Sequence, residues 1–344
     1  MSVTVGIVTW NSAHVIEACI ASVRAQTYRP LTLRILDNAS GDDTRERLKG
    51  ITAADERLGA DRNLGFSAAH NRLIAASSTE FYLCLNPDVV LTPDFVERVV
   101  EAMRRDPRAG SATGKLLRMR EDGDASDVRQ SNEAEADVVD STGIVMVPSQ
   151  RHLDRGADRV DDGRYAREEL VFGASGAAAM YRRAMLEDVK TPGGSAVAGG
   201  CGSTEYFDED FFAYREDADL AWRAQLLGWN CLYVPGAVAR HGRRVTPERR
   251  SALPAAINYY SVRNRFLLRM KNQTVGHAVR FLLPTLVRDL QVIGYVLVKE
   301  RSSLGALGDV FRLWRRTCVK RRAIMSRRQR TDSEMIAWFT RNDT

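Results

Sequence analysis

A chain of 344 residues with 44% hydrophobic and 27% charged side chains is long enough for one large or two modest domains, and has the balance of a soluble globular protein. Its five cysteines (Cys19, Cys84, Cys201, Cys231 and Cys318) are scattered without a CxxC pair, which argues against a zinc cluster or a disulfide framework and fits a reducing compartment. The net charge of +6 is uneven: from Arg240 onward 23 Lys+Arg face 7 Asp+Glu, about +16, so the body before it carries about −10.

Strand-like sequence begins at Val3 with no basic-then-apolar leader, so no signal peptide is expected. Val3–Thr9 reads as a first strand, Asn11-Ser12 as a cap, and Val15, Ile16, Cys19, Ile20 and Val23 as one helical stripe. Leu31–Leu36 is a second strand that runs into Asp37, and Thr44–Lys49 has helical character. Arg62-Asn63-Leu64-Gly65-Phe66 is a loop leading into a helix that lasts to Ser77. Phe81–Leu85 reads as a buried strand, broken by Asn86-Pro87-Asp88 because proline removes a ladder donor. Two short oxygen-bearing side chains are thereby held at the mouth of a sheet, where open α/β folds bind ligands, and they suit a hard cation carrying phosphates. Taken alone, a strand-end turn is the better account of the same three residues. Thr92-Pro93 opens the next helix. Strands alternating with helices at this spacing predict an α/β, doubly wound, mostly parallel sheet flanked by helices.

From Arg118 to Glu169 the pattern weakens into surface excursions with a short strand near Val138–Val147. Val171–Tyr181 is a small-residue strand, and Thr191–Thr204, with five glycines, is a lid candidate. Glu216-Asp217 opens a helix that ends at Gly228, and acidic residues suit that end of a helix. Trp229–Val234 is a last strand, followed by His241. Trp10 and Trp222 are expected in the core. A boundary is expected at 246/247, before a basic helical region. There Ala255–Met270 is an amphipathic helix with Ile257, Phe266 and Leu267 apolar and Arg263, Arg265 and Arg269 charged. Phe281–Val298 is the most apolar run, but it carries Arg288-Asp289, and each charge costs about 2.5–3.5 kcal/mol at a bilayer centre. It therefore reads as lying in an anionic membrane interface, with Met335, Trp338 and Phe339 as anchors. A basic helical layer packed on the core is the competing expectation.

Four signals line up at one end of the predicted sheet: Thr9-Trp10-Asn11, Asp37, Asn86-Pro87-Asp88 and Glu216-Asp217. In this order, with the segments VTWNS (8–12), ILDNASGDDT (35–44), RNLGFSAAHN (62–71), LNPDVVLTPDF (85–95), FDEDFFAYREDADLAWRAQLLGW (207–229) and ARHGRR (239–244), the chain resembles glycosyltransferase family 2, the inverting nucleotide-sugar transferases of the GT-A fold. Over residues 3–272 it looks most like the rhamnosyltransferase-like branch of bacterial cell-wall and surface polysaccharide synthesis, YYSVRNRFLLRMKN (259–272) included.

The resemblance implies that Asp37 accepts from N3–H of a uracil or thymine base, and that Thr9, Asn11, Arg62, Asn63, Gly65 and Asn86 line the donor nucleotide. It implies that Asp88 and His241 hold Mg2+ or Mn2+, that Asp217 is the general base, and that Glu216 lies on the acceptor side. Asn86 departs from the Asp-x-Asp of many relatives and removes one charge from the metal site. The implied partners are a dTDP- or UDP-sugar, a lipid-linked glycan acceptor and the inner face of a cell membrane, with peripheral cytoplasmic attachment and no nucleic acid. Oligomeric state, a homo-oligomer included, is open in the sequence. A nucleic-acid binder using the basic tail lacks interleaved aromatics, and a catalytically idle sugar-nucleotide binder is the remaining alternative.

Overall fold

A computed structural model describes residues 1–119, 136–194, 204–242 and 255–341. In chain order the first half gives β1 (Val3–Thr9), α1 (Ile16–Arg24), β2 (Leu31–Asp37), α2 (Thr44–Ile51), β3 (Arg57–Gly59), α3 (Gly65–Ala75), β4 (Phe81–Leu85), β5 (Val89–Leu91), α4 (Phe95–Arg105) and β6 (Ala109–Arg118). Then come β7 (Val139–Ser141), β8 (Ile144–Met146), β9 (His152–Asp154), β10 (Glu169–Val171), β11 (Ala178–Arg182), α5 (Arg183–Asp188), β12 (Thr191–Pro192) and β13 (Thr204–Glu205). The rest is α6 (Glu216–Leu226), β14 (Asn230–His241), α7 (Ala255–Asn272), α8 (Val275–Arg280), α9 (Leu282–Val298), α10 (Leu304–Met325) and α11 (Asp332–Ala337).

The main sheet runs β10-β14-β6-β11-β4-β1-β2-β3. Its N-terminal half is parallel, β4-β1-β2-β3, as expected from the strand–helix alternation. Beyond β4 it is mixed: β11 lies antiparallel to both β4 and β6, while β14 is parallel to β6. The antiparallel insertion follows from the chain: β11 starts after the long excursion and returns without a crossover helix. Strands β1 and β4 are covered on both faces, so their sequences are nearly continuous in apolar residues. One face packs α1 and α4 through Ile16, Ile20, Phe95, Val99 and Met103; the other packs α3 and α6 through Leu73, Ile74 and Leu220.

The predicted last strand is longer than expected. β14 continues through Pro235-Gly236 with a register shift between Val234 and Val238, and its far end pairs with β5, His241 opposite Val89. Proline is tolerated because the irregularity releases its ladder position.

The C-terminal helices pack on the body, and the arginines expected on a charged face of α7 turn inward instead. Arg263, Arg265 and Arg269 are all buried. Arg265 Nε and Arg269 Nη2 reach the two oxygens of Asp289 on α9 at 3.1 and 2.6 Å. Below them Lys271 meets Asp208 and, at 2.8 Å, Asp219; Lys320 of α10 meets Glu205, Asp208 and Asp210. Met335, Trp338 and Phe339, expected as headgroup anchors, are instead buried with Phe172, Trp222 and Phe281 in a common cluster. Among the described residues no helix is long and apolar enough to cross a membrane. The lid candidate lies largely outside the described residues (195–203), as does 120–135 of the excursion.

Candidate active site

A cleft of about 850 Å3 opens beyond the end of β4. Asn86 and Asp88 enter it from the sheet, His241 from the end of β14, Glu216 and Asp217 from α6, and Arg265 and Arg288 from α7 and α9. Five residues far apart in sequence and singled out from it are thus brought together. The antiparallel pairing of β5 with β14 does this for two of them: Gly242 N–H donates to the Asp88 carbonyl at 2.8 Å, and His241 Nε2 lies 3.4 Å from Asp88 Oδ1. On its other side His241 Nδ1 is 2.8 Å from Asp140 Oδ2, carried by β7. Burial works against an imidazolium here, but the Asp140 and Asp88 carboxylates outweigh it and raise His241 to about 9.

The start of α6 is built on a strained turn. Phe212, Tyr214 and Arg215 all have positive φ (63°, 70° and 72°), a region that non-glycine residues enter only when their surroundings hold them there. The holder is Asn264 of α7, fully buried, whose side-chain amide donates to the carbonyls of Phe211, Ala213 and Tyr214 at 2.8–2.9 Å. The turn delivers Glu216 and Asp217 to the cleft with different surroundings. Asp217 accepts Gly176 N–H on Oδ2 (3.1 Å) and Ala218 N–H on Oδ1 (2.7 Å). Burial raises its pKa, offset by those two amides and reinforced by Asp154. Glu216 is only 7% exposed, and its Oε2 has no hydrogen-bond partner. Burial, then Asp217 and Asp219, push it well above the ordinary carboxylate range, although its own backbone amide pulls the other way.

The remaining predicted residues gather at the ends of β1 and β2, where Thr9 and Asp37 are register neighbours. Thr9 is fully buried and donates its hydroxyl to Asp37 Oδ1 at 3.2 Å, so it orients Asp37 and does not itself face a ligand. Asp37 Oδ2 accepts Arg45 Nε and Ser40 N–H. Asn11 adopts φ 53° and ties the two loops together, accepting Gly41 N–H at 2.8 Å while its own N–H meets Ser40 Oγ. Arg62 is exposed beside them. Asn63 and Gly65 are framework. Asn38 bridges to Asn63 Oδ1 and to Leu64 N–H. At Gly65, with φ +78°, a Cβ would stand 2.5 Å from the Phe212 carbonyl oxygen. The Asn63 side chain and Gly65 thus fix the approach of two loops. Trp222 is core as expected; Trp10, expected there too, is 56% exposed next to this end of the sheet.

Among the described residues no three His, Cys, Asp or Glu side chains stand ready to hold a metal by themselves. Two donors are in place, Asp88 Oδ1 and His241 Nε2. Asp140 accepts from Nδ1–H, which turns Nε2 toward Asp88 in the carboxylate–histidine arrangement typical of metal ligands; a cation bound there would displace the Nε2 proton that Asp88 otherwise favours. This set fits a Mg2+ or Mn2+ ion that brings diphosphate oxygens and water as its other ligands.

The sequence profile described as "Glycosyl transferase family 2" matches residues 4–190. The chain belongs to that family. N-acetylglucosaminyl-diphospho-decaprenol L-rhamnosyltransferase of Mycobacterium tuberculosis is 28% identical over 273 residues, 74% of this chain and 80% of the relative. Poly-beta-1,6-N-acetyl-D-glucosamine synthase of Staphylococcus aureus is 27% identical over 107 residues, 30% of this chain and 26% of the relative. Among solved structures, S. aureus TarS 1-349 in complex with UDP-GlcNAc matches with a TM-score of 0.53 at 16% identity, over 95% of this chain and 91% of that one. GalNAc-T7 with UDP, GalNAc and Mn2+ matches with a TM-score of 0.51 at 11% identity, over 86% and 57%. The fold is therefore that of the GT-A glycosyltransferases, with the helical region appended.

Asp140 and Asn264 escape the sequence reading of this glycosyltransferase. Asp140 lies in the short strand near Val138–Val147, one of many acidic residues of the excursion, with nothing to single it out. Asn264 left one faint signal, a small amide between two arginines of the amphipathic helix α7.

Proposed function

We propose that the chain is an inverting, metal-dependent glycosyltransferase that moves a sugar, rhamnose or a similar hexose, from a dTDP- or UDP-sugar to a hydroxyl of a lipid-linked glycan in surface polysaccharide synthesis. The observation that carries this reading is the placing of Asp217, a carboxylate of raised proton affinity, in one cleft with the Asp88–His241 pair. Asp37 has acceptor capacity left beyond Thr9, Ser40 and Arg45 for a pyrimidine N3–H. Asp88 and His241 would hold the divalent ion, which would supply Lewis-acid neutralisation of the departing diphosphate. The acceptor oxygen bonds to the anomeric carbon as the bond from that carbon to the diphosphate oxygen breaks. Asp217 Oδ takes the hydroxyl proton, and the nucleoside diphosphate leaves on the opposite face. One displacement inverts the centre, so no second carboxylate nucleophile is required.

The M. tuberculosis relative, whose name gives a diphospho-decaprenol acceptor, supports the lipid-linked substrate. So does α9: Leu283, Leu286, Val287 and Leu290 form a solvent-facing apolar stripe, in a region carrying most of the chain's basic excess. An anionic bilayer surface fits both features. Radiochemical transfer from dTDP-rhamnose and UDP-sugars to lipid extracts, with the parent and Asp217→Asn, tests the reading. Product from the parent and none from the variant is expected; equal turnover by both would remove Asp217 from the role of base.

A further inference from the structure

The wall of the cleft opposite the sheet is a continuous path from the base to the apolar stripe. Arg215 stands two residues from Asp217, and its Nε donates to the Ser261 carbonyl of α7 at 3.2 Å. One turn further along α7, Arg265 lines the cleft, and its guanidinium is tied to Ser149 O and to Asp289 of α9. Next to Asp289 in sequence is Arg288, which also lines the cleft. On the outward side of the same helix lie Leu283, Leu286, Val287 and Leu290.

Positive charge is in excess at the middle of this path. Asp289 is shared by Arg265 and Arg269. Arg288 donates Nη1 to the neutral Gln291, its Nε has no hydrogen-bond partner, and Arg269 Nε and Nη1 have none either. Two buried guanidiniums thus share one carboxylate, and the partly buried Arg288 adds a third positive charge beside it. Arginine's planar fork matches phosphate oxygens two at a time, and a helix lying in a headgroup layer sets Arg288 at phosphate depth.

Resting on the lipid-linked acceptor proposed above, we infer that Arg265 and Arg288, with Arg215 toward the base, form a subsite for the diphosphate that joins the acceptor sugar to its lipid. The order along the wall is the order of groups in such an acceptor: hydroxyl at Asp217, sugar beside Arg215, diphosphate at Arg265 and Arg288, hydrocarbon along the stripe. The site would take a sugar diphosphate ester of a long-chain alcohol and would discriminate against a glycan lacking the diphosphate.

Two synthetic acceptors with the same sugar and the same short prenyl chain, one joined by a diphosphate and one by an ether, test this in detergent. The parent should favour the diphosphate acceptor by about tenfold or more in kcat/KM. Arg288→Gln should collapse that preference through the acceptor KM while the donor KM stays at the parent value. Arg288→Lys, which keeps the charge and loses the fork, should fall between. Equal losses on both acceptors, or no preference in the parent, would overturn the subsite. Calorimetric binding of the prenyl diphosphate needs no turnover and separates the two readings. Binding that is lost in Arg288→Gln, in a protein that transfers sugar to neither acceptor, keeps the subsite and sinks the acceptor reading. Vesicles of phosphatidylglycerol without the diphosphate lipid form the last arm. If Arg288→Gln weakens binding to them as much as to the diphosphate, Arg288 is a general headgroup contact and the subsite is wrong.

Discussion

Replacing Lys320 by Met should destabilise the folded chain by about 3–5 kcal/mol, a large part of any domain's margin. The substitution keeps the apolar stem and removes one charge. That ammonium is fully buried and meets Glu205, Asp208 (2.5 Å) and Asp210 (2.9 Å). Asp208 keeps Lys271, and Asp210 keeps Arg316 at 2.8 Å, but among the described residues Glu205 has no other cation. Burial raises Glu205 to about 7, with Asp208 adding to the shift and Lys320 opposing it. In the variant the opposition is gone, so the folded state holds that proton still more tightly than the unfolded chain, whose glutamates titrate near 4.3. Between these values the folded state binds more protons, and stability falls as pH rises. For Asp208 burial opposes the charge, yet Lys271 and Lys320 hold its pKa well below the ordinary value, a contribution present above that value and weakened without Lys320. The Asp208 effect is equal at pH 6 and pH 8, where that group is ionised in both states, so it is Glu205 that makes the deficit larger at pH 8 than at pH 6. Urea unfolding followed by circular dichroism at the two pH values measures it. A loss under about 1 kcal/mol at pH 8, or a larger loss at pH 6, would refute the reasoning.

Asp37→Ala should weaken donor binding at least tenfold in calorimetry with dTDP or UDP, one charge-assisted hydrogen bond being lost; unchanged affinity removes Asp37 from the nucleotide. Asn264→Ala frees the strained 212–215 turn and should lower kcat by about tenfold or more with little change in donor KM; full activity would show that the turn holds itself. Leu286→Asp with Leu290→Asp should cut sedimentation with phosphatidylglycerol vesicles, since each leucine contributes about 1.5–3 kcal/mol when buried; undiminished binding would take the stripe out of the membrane.

What the sequence makes legible here follows the range of the forces involved. Periodicity and strand-end chemistry are local, so β1, β2, β4, the Asn86-Pro87-Asp88 turn and the acidic start of α6 are all visible in it. Pairing across long separations is not. Nothing local tells that His241 comes to lie between Asp88 and Asp140, because that depends on β14 continuing past Pro235 to meet β5. The arginines of α7 mislead for the same reason. Alternation with apolar residues reads as a solvated face, yet the counter-charge that allows Arg265 and Arg269 to be buried sits on α9, 20 or more positions away. The FDED segment at 207–210 is the mirror image, an acidic run whose cations arrive from α7 and α10. Trimming the chain after Lys271 therefore removes Lys320 from under three carboxylates as well as any membrane contact, which is why point changes on α9 are the cleaner test.

Adjacent Glu216 and Asp217 invite the question of which is the base, and their surroundings answer it. A base at neutral pH must be able to lose its proton and must reach the substrate. Glu216 lines the cleft but is almost wholly buried there, with an oxygen that no group satisfies, and the Asp217 and Asp219 carboxylates repel its charge. Ionising it at neutral pH has little to offset the cost of desolvation, so it is held as the neutral acid. Asp217 is less deeply buried than Glu216, and two backbone amides stabilise its anion. A neutral Glu216 in turn spares Asp217 a like charge next door. The pair thus divides one proton by environment, as two catalytic carboxyls of unlike surroundings do elsewhere. Glu216→Gln mimics the neutral acid and should preserve most of the turnover, whereas Asp217→Asn removes the acceptor lone pair and presents an NH2 to one of the two amide donors. A pH profile separates them: the acid limb of kcat should survive in Glu216→Gln. If that limb vanished with Glu216, the assignment of the base would have to be exchanged.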